Sequence, residues 1–146
     1  MKLYVFFLLI SVSLAFSQTS KYPIEVIDGT VPDNYNRAFN SQFVYQFKED
    51  INKSSFMKLA SNDSLRMSIY IVTLRFPDEW KNCFGENQMF VLSFVWTVKD
   101  ETKSQTHSFL DNAVLFCDVE HIESMANSMT AITYQKVLSI TQEVKK

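Results

Sequence analysis

The chain has 146 residues, with 14 Lys and Arg against 16 Asp and Glu, a net charge of −2, and 47% hydrophobic side chains. That balance fits one globular domain and excludes the strongly basic footprint of a nucleic-acid binder. Two glycines, Gly29 and Gly85, leave no Gly-rich loop to cradle a phosphate, and two cysteines with two histidines offer thin material for a metal cage or a catalytic triad.

At the N-terminus Lys2 precedes the apolar run Leu3–Ile10, and the residues after it thin out toward small side chains. Ala15 and Ser17 fall at the −3 and −1 positions of a cut before Gln18, the pattern of a secretory signal peptide. The expected division is residues 1–17 as signal peptide and 18–146 as a single α/β domain, with a periplasmic or secreted location. The apolar run is shorter than the ~20 residues a bilayer span requires, and no transmembrane span is expected in the mature chain. No Cys follows the cut, so the lipoprotein pattern is absent; the short Lys-Leu start and the Gln18 end resemble exported proteins of the Bacteroidota.

In chain order, Tyr22–Ile27 reads as a first strand with Pro23 near its start, where proline is tolerated. Asp28-Gly29-Thr30 turns, and Asp33 or Asn34 supplies an N-cap. Tyr35, Phe39, Phe43, Phe47 and Ile51 recur every fourth residue, the stripe of an amphipathic helix over about Tyr35–Ile51. Phe56–Ala60 is a short strand and Leu65–Phe76 a longer one. Pro77–Gln88 is a loop holding Cys83, with Trp80 and Phe84 expected to fold back onto the body. Met89–Val98 alternates strictly, with Phe90, Leu92, Phe94, Trp96 and Val98 on one face and Met89, Val91, Ser93, Val95 and Thr97 on the other. Thr106–Cys117 is the last strand, broken by Asp111-Asn112 in the manner of an edge or a bulge. Asp118 caps a closing helix, about Val119–Thr141, whose buried stripe is Val119, Ile122, Met125, Ala126, Met129, Ile132, Val137 and Ile140.

The order β-α-β-β-β-β-α predicts an α+β fold: a two-layer α/β sandwich with a mostly antiparallel four- to five-stranded sheet and both helices on one face. The short connections among the last four strands predict that these form an antiparallel meander.

Cys83 and Cys117, in an oxidising compartment, are candidates for a disulfide closing a loop of about 35 residues, worth ~3–4 kcal/mol in the chain-entropy model. The densest polar run is Cys117-Asp118-Val119-Glu120-His121 with Glu123 beyond. It contains metal-ligand types, yet helix capping and the helix dipole account for the acids separately. No cofactor and no metal is expected, and no Gly-x-Ser-x-Gly elbow or papain-like context supports a nucleophile. Asn52-Lys53-Ser54 and Asn62-Asp63-Ser64 match the glycosylation sequon. The apolar surplus is more telling. With helices on one sheet face only, Met89, Val91 and Val95 form an apolar patch on the other, where such patches mark partner surfaces. The function expected is a non-enzymatic periplasmic or secreted domain for binding or envelope assembly, meeting a protein partner or a second copy through this face. The alternative is a small secreted enzyme or a ligand- or metal-binding protein with a site near Asp118–Glu123 and His107.

The run Phe47-Lys48-Glu49-Asp50-Ile51 through Ser54-Ser55-Phe56-Met57-Lys58-Leu59, a helix end and then a short strand ahead of a meander and a closing helix, resembles exported envelope α/β domains. The amino-terminal domain of TolB, CsgG-type assembly proteins and LptE-like lipoproteins are similar in this layout, over about Asn34–Ile140. The chain departs from them in lacking a lipidation Cys and the propeller that follows the TolB domain. The resemblance carries no functional residue; it implies a non-enzymatic envelope role.

Overall fold

A computed structural model describes residues 20–30, 36–77, 79, 88–102 and 107–143. Its elements are β1 (Tyr22–Asp28), α1 (Asn36–Lys53), β2 (Met57–Leu59), β3 (Leu65–Arg75), β4 (Met89–Asp100), β5 (His107–Asp118), a 3-10 turn (Val119–His121) and α2 (Ile122–Glu143). The expected order is present. The signal segment, the Asp33/Asn34 cap and the Cys83 loop with Trp80 and Phe84 lie outside the described residues.

The strands form one five-stranded sheet in the order β2-β1-β3-β4-β5. β3, β4 and β5 are an antiparallel meander, as their short links dictate. β2 does not join it. β1 inserts between β2 and β3 and runs parallel to both, so the sheet is mixed. The reason is physical: β2 has three residues, whereas β1 has seven and packs Tyr22 and Val26 against the core besides burying Ile24, which stands in register with Met67. The sheet interior goes to the strand with more apolar surface to bury.

Both helices cover the same sheet face. Phe90, Leu92, Phe94 and Trp96 of β4 are buried, and this row meets α1 through the rings of Phe90 and Phe94, Phe39 on Phe90 at 3.9 Å between centroids and Phe43 edge-on to Phe94 at 5.7 Å. It meets α2 through the indole of Trp96, whose Nε1–H donates to Thr133 Oγ1 at 3.1 Å. The four-residue aromatic spacing of α1 is therefore core packing, with one stacked and one edge-to-face pair against β4. On α2 the stripe differs from the expected one. Ile122, Ala126, Met129, Thr133 and Val137 are buried, while Val119 and Ile132 are exposed. Val119 falls in the 3-10 turn ahead of the helix, and Ile132 sits about 100° round the helix from the buried position that Thr133 takes.

One polar bridge ties α1 to the sheet. Asn40 Nδ2 donates to Asp28 Oδ2 at 2.6 Å, and Thr73 Oγ1 donates to Asn40 Oδ1 at 2.7 Å. Asn40 and Thr73 are buried, and this pairing keeps their polar atoms satisfied.

Candidate functional site

The face of the sheet away from the helices is built in three cross-strand rows. Tyr70, Val95 and Asn112 stand abreast on β3, β4 and β5, then Val72, Ser93 and Val114, then Leu74, Val91 and Phe116. Their placement follows from period two: the residues between them, such as Ile71, Phe94 and Leu92, point to the core. Met89, Val91 and Val95, the expected partner-face residues, all lie here and are half-buried.

The most exposed apolar groups on this face are Leu74, from the Leu65–Phe76 strand expected to flank the patch, and three residues of β5 that the sequence alone did not single out. Phe109 is 66% exposed, Val114 61%, Leu74 56% and Phe116 49%. Phe76 and Phe116 meet edge to face across β4 with centroids 5.8 Å apart. The signal for Val114 and Phe116 was their alternation with Ala113, Leu115 and Cys117, which makes β5 apolar on both faces. It was masked by a register shift opposite Trp96 and Thr97, where Asp111 and Phe109 pair with successive residues of β4. The Asp111-Asn112 break thus marks a bulge on an edge strand.

At the opposite end of this face the side chains are charged and already paired. Arg66 Nε donates to Glu25 Oε2 at 3.0 Å and Ser68 Oγ donates to the same oxygen at 2.6 Å. Arg66 Nη1 and Lys99 Nζ both reach Glu101 Oε1, at 3.1 and 3.0 Å. Ser68's hydroxyl first, and then Arg66, hold the Glu25 carboxyl below the usual carboxylate range. The face is therefore apolar at one end and neutral by pairing at the other.

The polar run after β5 acts as a helix start. Asp118 Oδ1 accepts from the His121 backbone N–H at 2.9 Å and pairs with His121 Nδ1 at 2.6 Å. Glu120, His121 and Glu123 are exposed. Cys117 is a buried thiol whose pKa burial, aided by the Asp118 charge, pushes up to about 11, so it is held protonated and poorly nucleophilic. Its expected bridge partner, Cys83, lies outside the described residues. Among the described residues no three His, Cys, Asp or Glu side chains converge as metal ligands.

The alternative site joining Asp118–Glu123 with His107 does not form. His107 opens β5 and Asp118 ends it, and 12 extended residues separate the two ends by roughly 35 Å. Among the described residues no helix is long and apolar enough to cross a membrane.

No protein-family model and no curated protein matches the chain. Among solved structures it is loosely similar to the hypothetical protein CT253 of Chlamydia trachomatis, at TM-score 0.39 and 10% identity over 66% of this chain and 72% of that one. It is likewise similar to a protein assigned as a lipoprotein from Caulobacter crescentus CB15, at TM-score 0.41 and 12% identity over 84% of this chain and 92% of that one. A minor lipoprotein of Acinetobacter baumannii gives TM-score 0.36 and 14% identity over 80% and 94% of the two chains. None of the three is named as a TolB, CsgG or LptE protein, and the chain is assigned to no family.

Proposed function

We propose that this is an exported, non-enzymatic binding domain whose helix-free sheet face pairs with the same face of a second copy. The observation that carries the reading is the exposure of Leu74, Phe109, Val114 and Phe116 on one surface. Burying a Leu, Val or Phe side chain is worth ~1.5–3 kcal/mol, so a surface that leaves several in water favours an occupant. Two twisted sheets stack face to face at ~10 Å, and a two-fold axis makes the surface its own complement. Charge supports a second copy as that occupant. Glu25, Arg66, Lys99 and Glu101 are paired within each chain, so two such faces meet without like-charge repulsion.

Sedimentation velocity of the chain from Gln18 onward, which carries every described element, tests this. The wild type is expected to dimerise at concentrations up to ~100 µM, and Val91→Lys and Val95→Lys to be monomeric with unchanged circular dichroism. A wild type that stays monomeric over that range, or Lys variants that dimerise as it does, would overturn the self-association.

A further inference from the structure

The helix layer holds a second feature, independent of the sheet face. An open cleft of about 450 Å³ lies between the end of α1, the turn leading into β2 and the middle of α2; Asp50, Lys53, Phe56, Asn127, Thr130 and Tyr134 are among its lining residues. Its volume falls in the ~300–1,000 Å³ band of small-molecule sites.

Asp50 is hard to explain by the fold alone. Its Oδ1 accepts from Gln46 Nε2 at 2.9 Å, while its Oδ2 is buried and has no hydrogen-bond partner. It also stands near the C-terminal end of α1, where the helix dipole disfavours an anion. A carboxylate oxygen removed from water and left unpaired is costly, and such groups call for a donor from outside the chain.

The rest of the cleft indicates the chemistry of that donor. Phe56 is 47% exposed although it packs on Tyr134, the two ring centroids 5.0 Å apart and the planes tilted by 32°. Together the rings form one aromatic wall. Lys53 is exposed at the rim, and its charge offsets that of Asp50, so the cleft does not select a net charge. Met57 and Ala131 add apolar lining, and the remaining polar groups, hydroxyls and an amide, both donate and accept. A ligand that matches has several hydroxyls on one side and a weakly positive C–H face to lay on the negative π-face of a ring. We infer that this cleft is a carbohydrate site for a single neutral pyranose unit, its hydroxyls donating to the Asp50 carboxylate and its C–H face lying on Phe56 and Tyr134.

The test is an amide NMR titration with the methyl glycosides of glucose, galactose, mannose and N-acetylglucosamine, each to about 50 mM, with benzylamine as the cationic control. At least one glycoside should give saturable shifts confined to Asp50–Met57 and Asn127–Tyr134. Asp50→Asn should weaken it about tenfold, as loss of a charged acceptor does, and Phe56→Ala should abolish it, both variants keeping the wild-type circular dichroism. If no glycoside shifts these residues, if Asp50→Asn and Phe56→Ala leave the affinity unchanged, or if only benzylamine binds, the inference is wrong. The sheet-face variants Val91→Lys and Val95→Lys should bind the same glycoside as the wild type does, so the two readings stand or fall separately.

Discussion

Glu25 is the carboxylate that ties β1 to β3 on the open sheet face. Its carboxylate takes the Ser68 hydroxyl and the Arg66 guanidinium on one oxygen, on the face the helices leave open. Hydrogen bonding to the ionised form lowers its folded-state pKa from the ordinary 4.5, the Ser68 contact contributing most. A lowered folded value means that the ionised group stabilises the fold. That stabilisation is complete above the unfolded-state pKa and drains away as pH falls through the lower folded one. Asp63, Glu101 and Asp111 shift in the same direction, each chiefly through a lysine hydrogen bond, so the acid limb of the stability curve sums several groups. Glu25→Gln keeps an acceptor but cannot titrate. Urea midpoints from about pH 6 to about pH 3 should fall less steeply in this variant than in the wild type. Parallel slopes would show that Glu25 titrates alike in the folded and unfolded chains.

At the scale of elements, β4 and α2 are joined through a single buried polar contact inside an apolar seam. Trp96 Nε1 donates to Thr133 Oγ1, and the same hydroxyl donates to the Met129 carbonyl at 2.8 Å. Lys136 sits over the indole at 4.8 Å and also pairs with Asp111 of β5, so one turn of α2 engages two strands. Thr133→Val preserves shape but leaves the indole N–H buried without an acceptor. It should cost ~1–3 kcal/mol in denaturant unfolding. Adding Trp96→Phe, which removes the orphaned donor, should cost less than the sum of the two single changes; strict additivity would mean that the hydrogen bond carries no energy. This contact shows where sequence reading reaches its limit. The alternation of Phe90, Leu92, Phe94 and Trp96, and the fourfold spacing of Phe39, Phe43 and Phe47, are local patterns, and each found its face. Thr133 was passed over for Ile132 because a hydroxyl looks like a surface group until a buried indole is placed opposite it. The aromatic wall of Phe56 and Tyr134 was illegible for the same reason: the two residues come from different elements, and only the folded chain brings them together. The exposed Val114 and Phe116 were half legible, since alternation was present but the bulge disguised its phase.

For the whole molecule the decisive feature is that the first strand occupies the second position in the sheet. β1 exchanges ladders with β2 and β3, its Tyr22 N–H reaching the Phe56 carbonyl at 2.8 Å and its Ile24 carbonyl accepting from Ala60 at 2.8 Å. No local pattern signals this, because the pairing of Ile24 with Met67 joins distant stretches of chain whose closure entropy is repaid only when the sheet assembles. The consequence is a fold in which β1 is an interior strand and cannot behave as a dispensable tail. Ile24, fully buried in the core, is the side chain that reports on it. Ile24→Ala should cost ~2–5 kcal/mol, the range for truncating a buried Ile, with a single cooperative transition retained. A chain that begins at Thr30 should lose that transition altogether, because β2 then has no strand to pair with and β3 becomes an unpaired edge. Thermal unfolding followed by circular dichroism distinguishes the cases. A truncated chain that still melts cooperatively near the wild-type temperature would mean that β3, β4, β5 and the two helices fold without the strand, and that β1 merely docks on a completed domain.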